Sequence, residues 1–426
     1  MTETTKIIKK SLAKRYAKEK RLKFYGLASI TISFVFLFIL LANITYNGFP
    51  AFQQTYINLD IELDTSVLGL KDRPTKEELF NANYSKIISN ALKKMFPDAK
   101  GRKQKRALKQ LVSSGAQYEL RDKVIANPEL LGSVQSLWLL AKDDVDVFMK
   151  GNINRNIPEA DRRIKDFQLR WIDKLVADNR LEKRFNTVFF TAGDSREPEQ
   201  AGIKGALVGS ILTMIVTMLL SFPIGVAAAI YLEEFAPKNN RWVDLIEINI
   251  NNLAAVPSII FGLLGLAVFI SLFGVPRSVP LVGGLVLTLM TLPTIIIASR
   301  ASIKSVPPSI REAALGVGAS HMQTTFHHVL PYAMPGILTG SIIGMAGALG
   351  ETAPLLMIGM VAFVMDVPAS IIDPSTVLPV QIYLWSDSPE RAFTERTSAA
   401  IIILLAFLIL MNLIAIIMRK KFEKKW

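Results

Sequence analysis

The stretch that decides the fold runs from Glu312 to Gly318 and reads Glu-Ala-Ala-Leu-Gly-Val-Gly; after nine intervening residues follows His328-Val329-Leu330-Pro331. Strongly apolar stretches flank it, Leu281 to Ile303 before it and Gly336 to Val364 after it. Each is long enough to cross a hydrocarbon core of ~30 Å at a rise of about 1.5 Å per residue. The sequence therefore predicts a compact segment between two membrane spans.

Apolar blocks of this length recur along the chain, and half of its 426 residues are hydrophobic. Blocks of roughly 18 residues or more are typical of transmembrane helices. They predict an all-α, polytopic membrane protein with six spans: Tyr25 to Tyr46, Ile203 to Leu232, Val256 to Phe273, Leu281 to Ile303, Gly336 to Val364 and Ser398 to Met418.

The positive charge is concentrated at the two ends of the chain. The formal net charge is +13, and the tails 1–24 and 419–426 together contribute 11 of it. Short basic segments beside membrane spans stay in the cytoplasm, and an even number of spans places both ends on that side. This location disfavours nucleic-acid binding. It predicts a cytoplasmic tail before a first span at 25–46 and another after a permease unit at 201–418.

The polar region 47–200 is too long and too charged to be a connecting loop. Two segments in it, Tyr84 to Phe96 and Ile164 to Val176, repeat apolar residues at the period of one buried helical face. Asn127-Pro128-Glu129 has the composition of a helix start. We expect a mostly helical extracytoplasmic domain that buries its own core.

Several kinds of chemistry are not predicted. The chain has no cysteine, which excludes disulfides and thiol catalysis. Its three histidines, His321, His327 and His328, have no carboxylate beside them, so we predict no metal site. No phosphate-binding loop of the Gly-x-x-x-x-Gly-Lys-Ser/Thr kind occurs in the sequence, and we predict neither catalytic residues nor a bound cofactor.

The segment around Glu312 predicts two short helices with a sharp bend. Ser309 with Glu312, and Ser320 with Gln323, have the spacing of capping boxes, and Gly316 and Gly318 can provide the positive φ of a turn. Such a hairpin can transmit a push from another protein. The alternative is that these residues only cap a helix and turn the chain.

Two patterns single out the fifth predicted span. Gly336, Gly340 and Gly344 recur every four residues on one face, a spacing that lets helices approach closely in lipid. We expect this face to pack against a helix of this chain or of a partner. Further on, Gly350 to Leu356 contains Glu351, and an ionisable residue inside a span indicates a functional site.

These runs carry a resemblance to a known family. The segment 304–335, with Glu312, Ala313, Ala314, Gly318, Leu330 and Pro331, resembles the EAA loop through which ABC importer permeases contact their ATPase. Gly350 to Leu356, and the region 201–418 around it, resembles permeases of phosphate-specific ABC importers of the PstA type. Two positions depart from the family pattern: His328 replaces an aliphatic residue, and Gly347 replaces an arginine.

The resemblance implies a type I permease fold in the bacterial cytoplasmic membrane, with a large extension at 47–200. It implies a homologous second permease of the PstC type, two ATPase subunits of the PstB type that use ATP and Mg²⁺, and a phosphate-binding protein of the PstS type. The chain itself would be no enzyme.

The resemblance also suggests a translocation path near Glu351, Thr352, Pro354 and Arg300. Glu351 either accepts the proton of hydrogenphosphate in a hydrogen bond or pairs with a cation, Arg300 or one from the partner, and holds a gate. We favour pairing, because buried charges persist when they are compensated. Pro354 is expected to break the helix just beyond Glu351.

Two other functions stay open at this stage. The EAA-like loop fits equally a permease for another oxyanion or small solute. A membrane-anchored extracytoplasmic sensor is the third possibility, although the sequence contains no soluble cytoplasmic output domain.

Overall fold

A computed structural model describes residues 3–71, 74–237 and 239–422 of the chain. The side chains of residues 3–11, 13 and 422 are not part of this description. The predicted basic tails, 1–24 and 419–426, therefore lie partly outside the described residues.

The described residues are 70% helical, which confirms the all-α class. Helix α1 is the first described element, and residues 201–422 form what we call the transmembrane unit. Its helices are α10 (Lys204–Ile230), α11 (Arg241–Ala254), α12 (Ser258–Leu264), α13 (Pro280–Lys304), α14 (Pro308–Gly316), α15 (His321–Gln323), α16 (Leu330–Gly350), α17 (Ala353–Met357), α18 (Leu378–Ser386) and α19 (Ala392–Phe422), with α1 at Glu3–Gly48. Three π-helical segments extend them, Tyr231–Phe235, Gly265–Leu272 and Thr324–Val329.

Five of the described helices are long and apolar enough to cross a membrane, and a sixth span results if a bent pair is counted as one. The pair joins Arg241–Ala254 to Ser258–Leu272 at 106°. Helix α1 continues without a break from the basic segment into the first span. It runs beside α19, and a Cβ on Gly48 would lie 2.8 Å from the backbone nitrogen of Ala399.

The predicted fifth span, Gly336 to Val364, is misplaced. The apolar helix begins at His321 and ends at Gly350. The sequence reasoning extended it past Gly350 because the residues that follow are also apolar, although they form a separate short helix, α17.

Residues 47–200 form a domain between α1 and α10, which we call the inserted domain. Its helices are α2 (Thr65–Leu68), α3 (Lys76–Asn81), α4 (Tyr84–Met95), α5 (Arg102–Lys109), α6 (Ala116–Ala126), α7 (Asp143–Met149), α8 (Asp166–Ala177) and α9 (Thr187–Thr191). Its strands are β1 (Gln53–Glu62), β2 (Val134–Leu140) and β3 (Leu181–Phe185). The two predicted helical faces are confirmed as α4 and α8, whose apolar residues line the domain core.

The domain is mostly helical, as predicted, and it also contains a three-stranded antiparallel sheet in the order β2-β1-β3 that the sequence reasoning missed. Ile57, Leu59 and Ile61 alternate with polar residues along β1 and are fully buried, the period of a strand with one face on the core. The predicted helix at Asn127 is wrong. Only a single 3₁₀ turn forms there, because Gly132 at φ +80° reverses the chain into β2.

Buried charges join the inserted domain to the transmembrane unit. The Lys150 ammonium lies 2.6 Å from an Asp146 carboxylate oxygen and 3.0 Å from one of Glu395, which is on α19. Asn152 donates a second hydrogen bond to Glu395, and the neighbouring Arg396 donates one to the carbonyl of Ala201. The bonds of Lys150 and Asn152 to Glu395 cross the boundary and fix the domain to α19, whereas Arg396 and Ala201 both belong to the transmembrane unit.

We predict that Lys150→Met loosens this junction. The substitution leaves Asp146 and Glu395 buried without their cation, and breaking a buried pair in this way costs roughly 3–5 kcal/mol. The apparent unfolding temperature of the purified chain should fall, and proteolysis near residue 200 should accelerate. Lys123→Met is the control, because its half-exposed pair with Glu119 contributes ~1 kcal/mol or less. Equal effects of the two substitutions would contradict the role of the junction.

Candidate functional site

The segment between α13 and α16 folds into a compact projection, which we call the knob (residues 305–329). Pro307 and Pro308 start α14, since proline fixes the φ of a first helical turn. Gly318 turns the chain at φ +91°. Ser320 and Gln323 then form a reciprocal capping box, which confirms that prediction. The helix that follows is continuous with the span and is not a short arm.

Two local predictions for the knob are wrong. Ser309 does not cap α14, because the helix has already begun at Pro308 and its N-cap residue is Pro307. Gly316 does not provide the turn, because it is the last residue of α14 and only Gly318 has the positive φ. Glu312 is exposed, and no described residue pairs with its carboxylate.

Arg311 holds the knob against the ends of two spans. Its guanidinium lies 2.7 Å from a carboxylate oxygen of Glu234, in the π-helical turn after α10. The same group donates hydrogen bonds to the carbonyls of Val306, at 2.7 Å, and Ile303, at 2.9 Å. The planar fork of arginine suits such a set of acceptors. The knob is consequently fixed to α10 and α13 by one side chain.

Arg300, on α13, forms a second set of ion pairs near that of Arg311. Its guanidinium lies 2.7 Å from Glu233 and 2.6 Å from Glu247. These bonds join α13, the π-helical turn after α10, and α11. The predicted pairing of Arg300 with Glu351 is therefore wrong, because both of its acidic partners come from other helices at the knob end of the spans.

An apolar contact supports these ion pairs. Val329, Ala333 and Ile337 at the start of α16 pack with Ile303 and Val306, and all five are buried. Leu330 packs on this cluster, and Pro331 lies in the first turn of α16. Salt bridges that rest on a packed apolar base are held in one geometry. The knob is therefore a rigid extension of the spans.

The outer surface of the knob is unusually apolar. Val317 is 85% exposed and Met322 is 58% exposed, and Phe326 and Leu315 are exposed beside them. Of the Glu-Ala-Ala run, Ala313 is exposed and Ala314 is buried. His321, His327 and His328 are all exposed on the same projection. Exposed aromatic and methionine side chains around a turn are typical of a protein-binding surface.

Glu351 lies at a break between α16 and α17. It is the residue that ends α16, with an extended backbone, and its carboxylate is half-buried. Among the described residues, none pairs or hydrogen-bonds with that carboxylate. Thr352, also half-buried, begins the short helix that follows. A half-buried carboxylate without an intrachain partner is available to a ligand or to another subunit.

Pro354 has a different role from the one predicted. Helix α16 ends before Glu351, and Pro354 lies in the first turn of α17, where its missing amide costs nothing. Pro354 packs against α12, where a Cβ on Gly262 would lie 2.7 Å from its Cα. The break at Glu351 is thus held between α16 and α12.

The glycine stripe of α16 lies against α13 of the same chain. A Cβ on Gly340 would overlap the Cβ of Ala298, and one on Gly336 would overlap the hydroxyl of Ser302. At Gly344 a Cβ would find ordinary contact, 3.6 Å from Ile295. Close helix approach is therefore required at two of the three glycines.

Sequence reasoning missed the acidic partners Glu233, Glu234 and Glu247. A signal for the first two was present, because a Glu-Glu pair ends an otherwise apolar span. Glu247 gave no such signal, because it lies on α11, an exposed amphipathic helix. Which helices α11 contacts cannot be read from the sequence. Arg311, directly before Glu312, was missed as well.

Comparison with known proteins gives two family matches. Residues 221–426 match the model of the binding-protein-dependent transport system inner membrane component, and residues 9–159 match a domain of unknown function, DUF3333. The first covers the knob and the break at Glu351. The second covers α1 and most of the inserted domain.

Two curated relatives agree with the first match. The chain is 31% identical over 225 residues to the phosphate transport system permease protein PstA 1 of Mycobacterium tuberculosis, covering 52% of this chain and 72% of that protein. It is 35% identical over 168 residues to the probable ABC transporter permease protein YqgI of Bacillus subtilis, covering 39% of this chain and 56% of that one. A solved inward-facing MetNI methionine ABC transporter aligns with 52% of this chain and 96% of its own at 17% identity and a TM-score of 0.44.

We predict that Gly340→Ala destabilises the transmembrane unit. The added methyl overlaps Ala298 and forces α16 away from α13, and overpacking of this kind typically costs ~1–3 kcal/mol. The apparent unfolding temperature of the detergent-purified chain should fall. Gly347→Ala is the matched control on the same helix, because nothing lies within 4 Å of its Cβ position. An equal loss in both variants would show that the contact with α13 is not the cause.

Proposed function

The chain belongs to the family of binding-protein-dependent transport system inner membrane components, and from this premise we propose that it is a permease subunit of an ABC importer for inorganic phosphate. The observation that supports phosphate as the substrate is the 31% identity to PstA 1, over an alignment that covers 72% of that protein. Because the chain spans only 56% of YqgI, partners and substrate are parts of the proposal.

We propose that the knob is the surface on which an ATPase subunit acts. Its exposed apolar face, Val317 with Met322, offers a contact, and Arg311 passes a displacement of α14 directly to α10 and α13. The chain would hydrolyse no ATP. Two ATPase subunits of the PstB type would use ATP and Mg²⁺, so the knob converts their closure into motion of the spans.

The proposed path passes the break at Glu351. With Arg300 engaged by Glu233 and Glu247, the cation that compensates Glu351 would come from the second permease, of the PstC type. A charge pair across the subunit boundary would hold a gate in the substrate-free state. Hydrogenphosphate carries a proton and can also donate a hydrogen bond to this carboxylate as it passes, which sulfate cannot do.

The proposal fixes an orientation for the chain. The knob and both tails would lie in the cytoplasm of a bacterium, and the inserted domain would lie outside the cytoplasmic membrane. There a binding protein of the PstS type would deliver phosphate. The basic segment of α1 favours this arrangement by the positive-inside rule.

Glu351→Gln tests the path. The variant, expressed with its partner subunits in cells that lack other phosphate uptake, should transport phosphate roughly tenfold or more slowly, because the lost charge removes its pair. Glu129→Gln, an exposed residue of the inserted domain, should leave uptake unchanged. Normal uptake by Glu351→Gln at equal expression would contradict its role. If the unmodified complex transports labelled sulfate or molybdate faster than phosphate, the assignment of phosphate as the substrate is wrong.

Gly318→Val tests the knob. A β-branched residue resists the φ of +91°, so the turn should distort and uptake should be lost, whereas ATP hydrolysis by the complex should no longer respond to the binding protein. Gly316→Ala is the control, because this glycine is helical and has open space at its Cβ position. If Gly318→Val still takes up phosphate and its ATP hydrolysis still responds to the binding protein, the knob is not the surface on which the ATPase acts.

A further inference from the structure

The inserted domain contains a cleft that the proposed import function does not use. It lies between α4, α5 and the turn before α6, and its volume is about 290 Å³. Three cations line it: Arg106 and Lys109, one turn apart on α5, and Lys142 just before α7. Among the described residues, no carboxylate belongs to the lining.

These three cations form no direct ion pair within the described part of the domain. No described residue forms an ion pair with Arg106, Lys109 or Lys142, whereas Lys150 and Lys123 of the same domain both have carboxylate partners. Like charges gathered around one cleft repel each other, and an anion in the cleft removes that cost. The charge arrangement thus favours a negatively charged ligand.

Hydroxyl groups complete the lining. Ser85 and Ser114 are exposed at the rim, and Ser89 and Ser113 lie deeper. The Ser89 side chain is only 3% exposed, and its hydroxyl has no hydrogen-bond partner among the described residues. A buried hydroxyl left without a partner costs roughly 1–3 kcal/mol, and a ligand oxygen would accept its hydrogen bond.

Two acidic residues are neighbours of residues that line the cleft. Ser113 donates a hydrogen bond of 2.7 Å to Glu199, and Asp143 follows Lys142. Burial raises the pKa of both carboxyl groups above its ordinary value. The shift is in the direction of their neutral forms. Neither carboxyl group reaches the lining.

We propose that this cleft is a binding site for a tetrahedral oxyanion, either free phosphate or sulfate or the phosphoryl group of an anionic lipid. Guanidinium and ammonium groups supply charge, and serine hydroxyls supply short hydrogen bonds to its oxygens. The site is separate from the break at Glu351 in the transmembrane unit. It stands independently of the substrate that the permease transports.

The test measures binding of radiolabelled inorganic phosphate to the purified full chain in nanodiscs made only of zwitterionic lipid. Saturable binding is expected. Ser89→Ala and Lys142→Gln should each weaken it by roughly tenfold, the value of one hydrogen bond to a charged group. Lys103→Gln, an exposed cation of α5 outside the cleft, is the matched control and should leave binding unchanged.

Two further arms identify the source of the oxyanion. Sulfate competition at similar concentrations indicates a site for free oxyanions. If nanodiscs with phosphatidylglycerol lower phosphate binding, and Lys142→Gln abolishes that effect, the lipid phosphoryl group is the ligand. The proposal is overturned if neither free oxyanions nor phosphatidylglycerol bind saturably, or if binding is equal in Ser89→Ala, Lys142→Gln and Lys103→Gln.

Discussion

The bond between Arg311 and Glu234 is the contact on which the rest of the transmembrane unit depends. It joins the knob to the π-helical turn after α10, and the same guanidinium donates hydrogen bonds to the carbonyls of Ile303, at the end of α13, and Val306, just after it. A partly buried arginine with a bidentate acid and two carbonyls has little freedom to move. A displacement of α14 is therefore transmitted to two spans, because no flexible linker lies between them. A permease driven by a partner ATPase requires such a rigid connection.

A second set of buried charges fixes the inserted domain to the transmembrane unit. Lys150 connects α7 of the inserted domain to Glu395 of α19, and Gly48 brings the end of α1 against the same helix. The inserted domain is consequently attached at both of its chain connections and along α19. An oxyanion bound in its cleft would act on a body that cannot rotate freely relative to the spans. Signals from that domain can thus reach α19 through the contact of Lys150 with Glu395.

The sequence revealed the features with a strong local pattern. The span around Leu281 to Ile303, the helical face of α4 and the capping box at Ser320 are all set by residues close together in the chain. The sheet was missed even though Ile57, Leu59 and Ile61 alternate with polar residues, because the helical periods elsewhere in the domain were given more weight. The partners of Arg300 could not be predicted, since Glu247 lies 53 residues away and on another helix.

The most direct measurement of the central claim is the side of the membrane on which the knob lies. The chain has no cysteine, so a single introduced one can be labelled without background by a membrane-impermeant thiol reagent. The account predicts that Lys105→Cys, exposed in the inserted domain, is labelled in intact cells whose outer barrier is permeable, and that Ser320→Cys in the knob is labelled only after lysis. Labelling of Ser320→Cys from outside would place the knob away from any cytoplasmic ATPase and contradict the account.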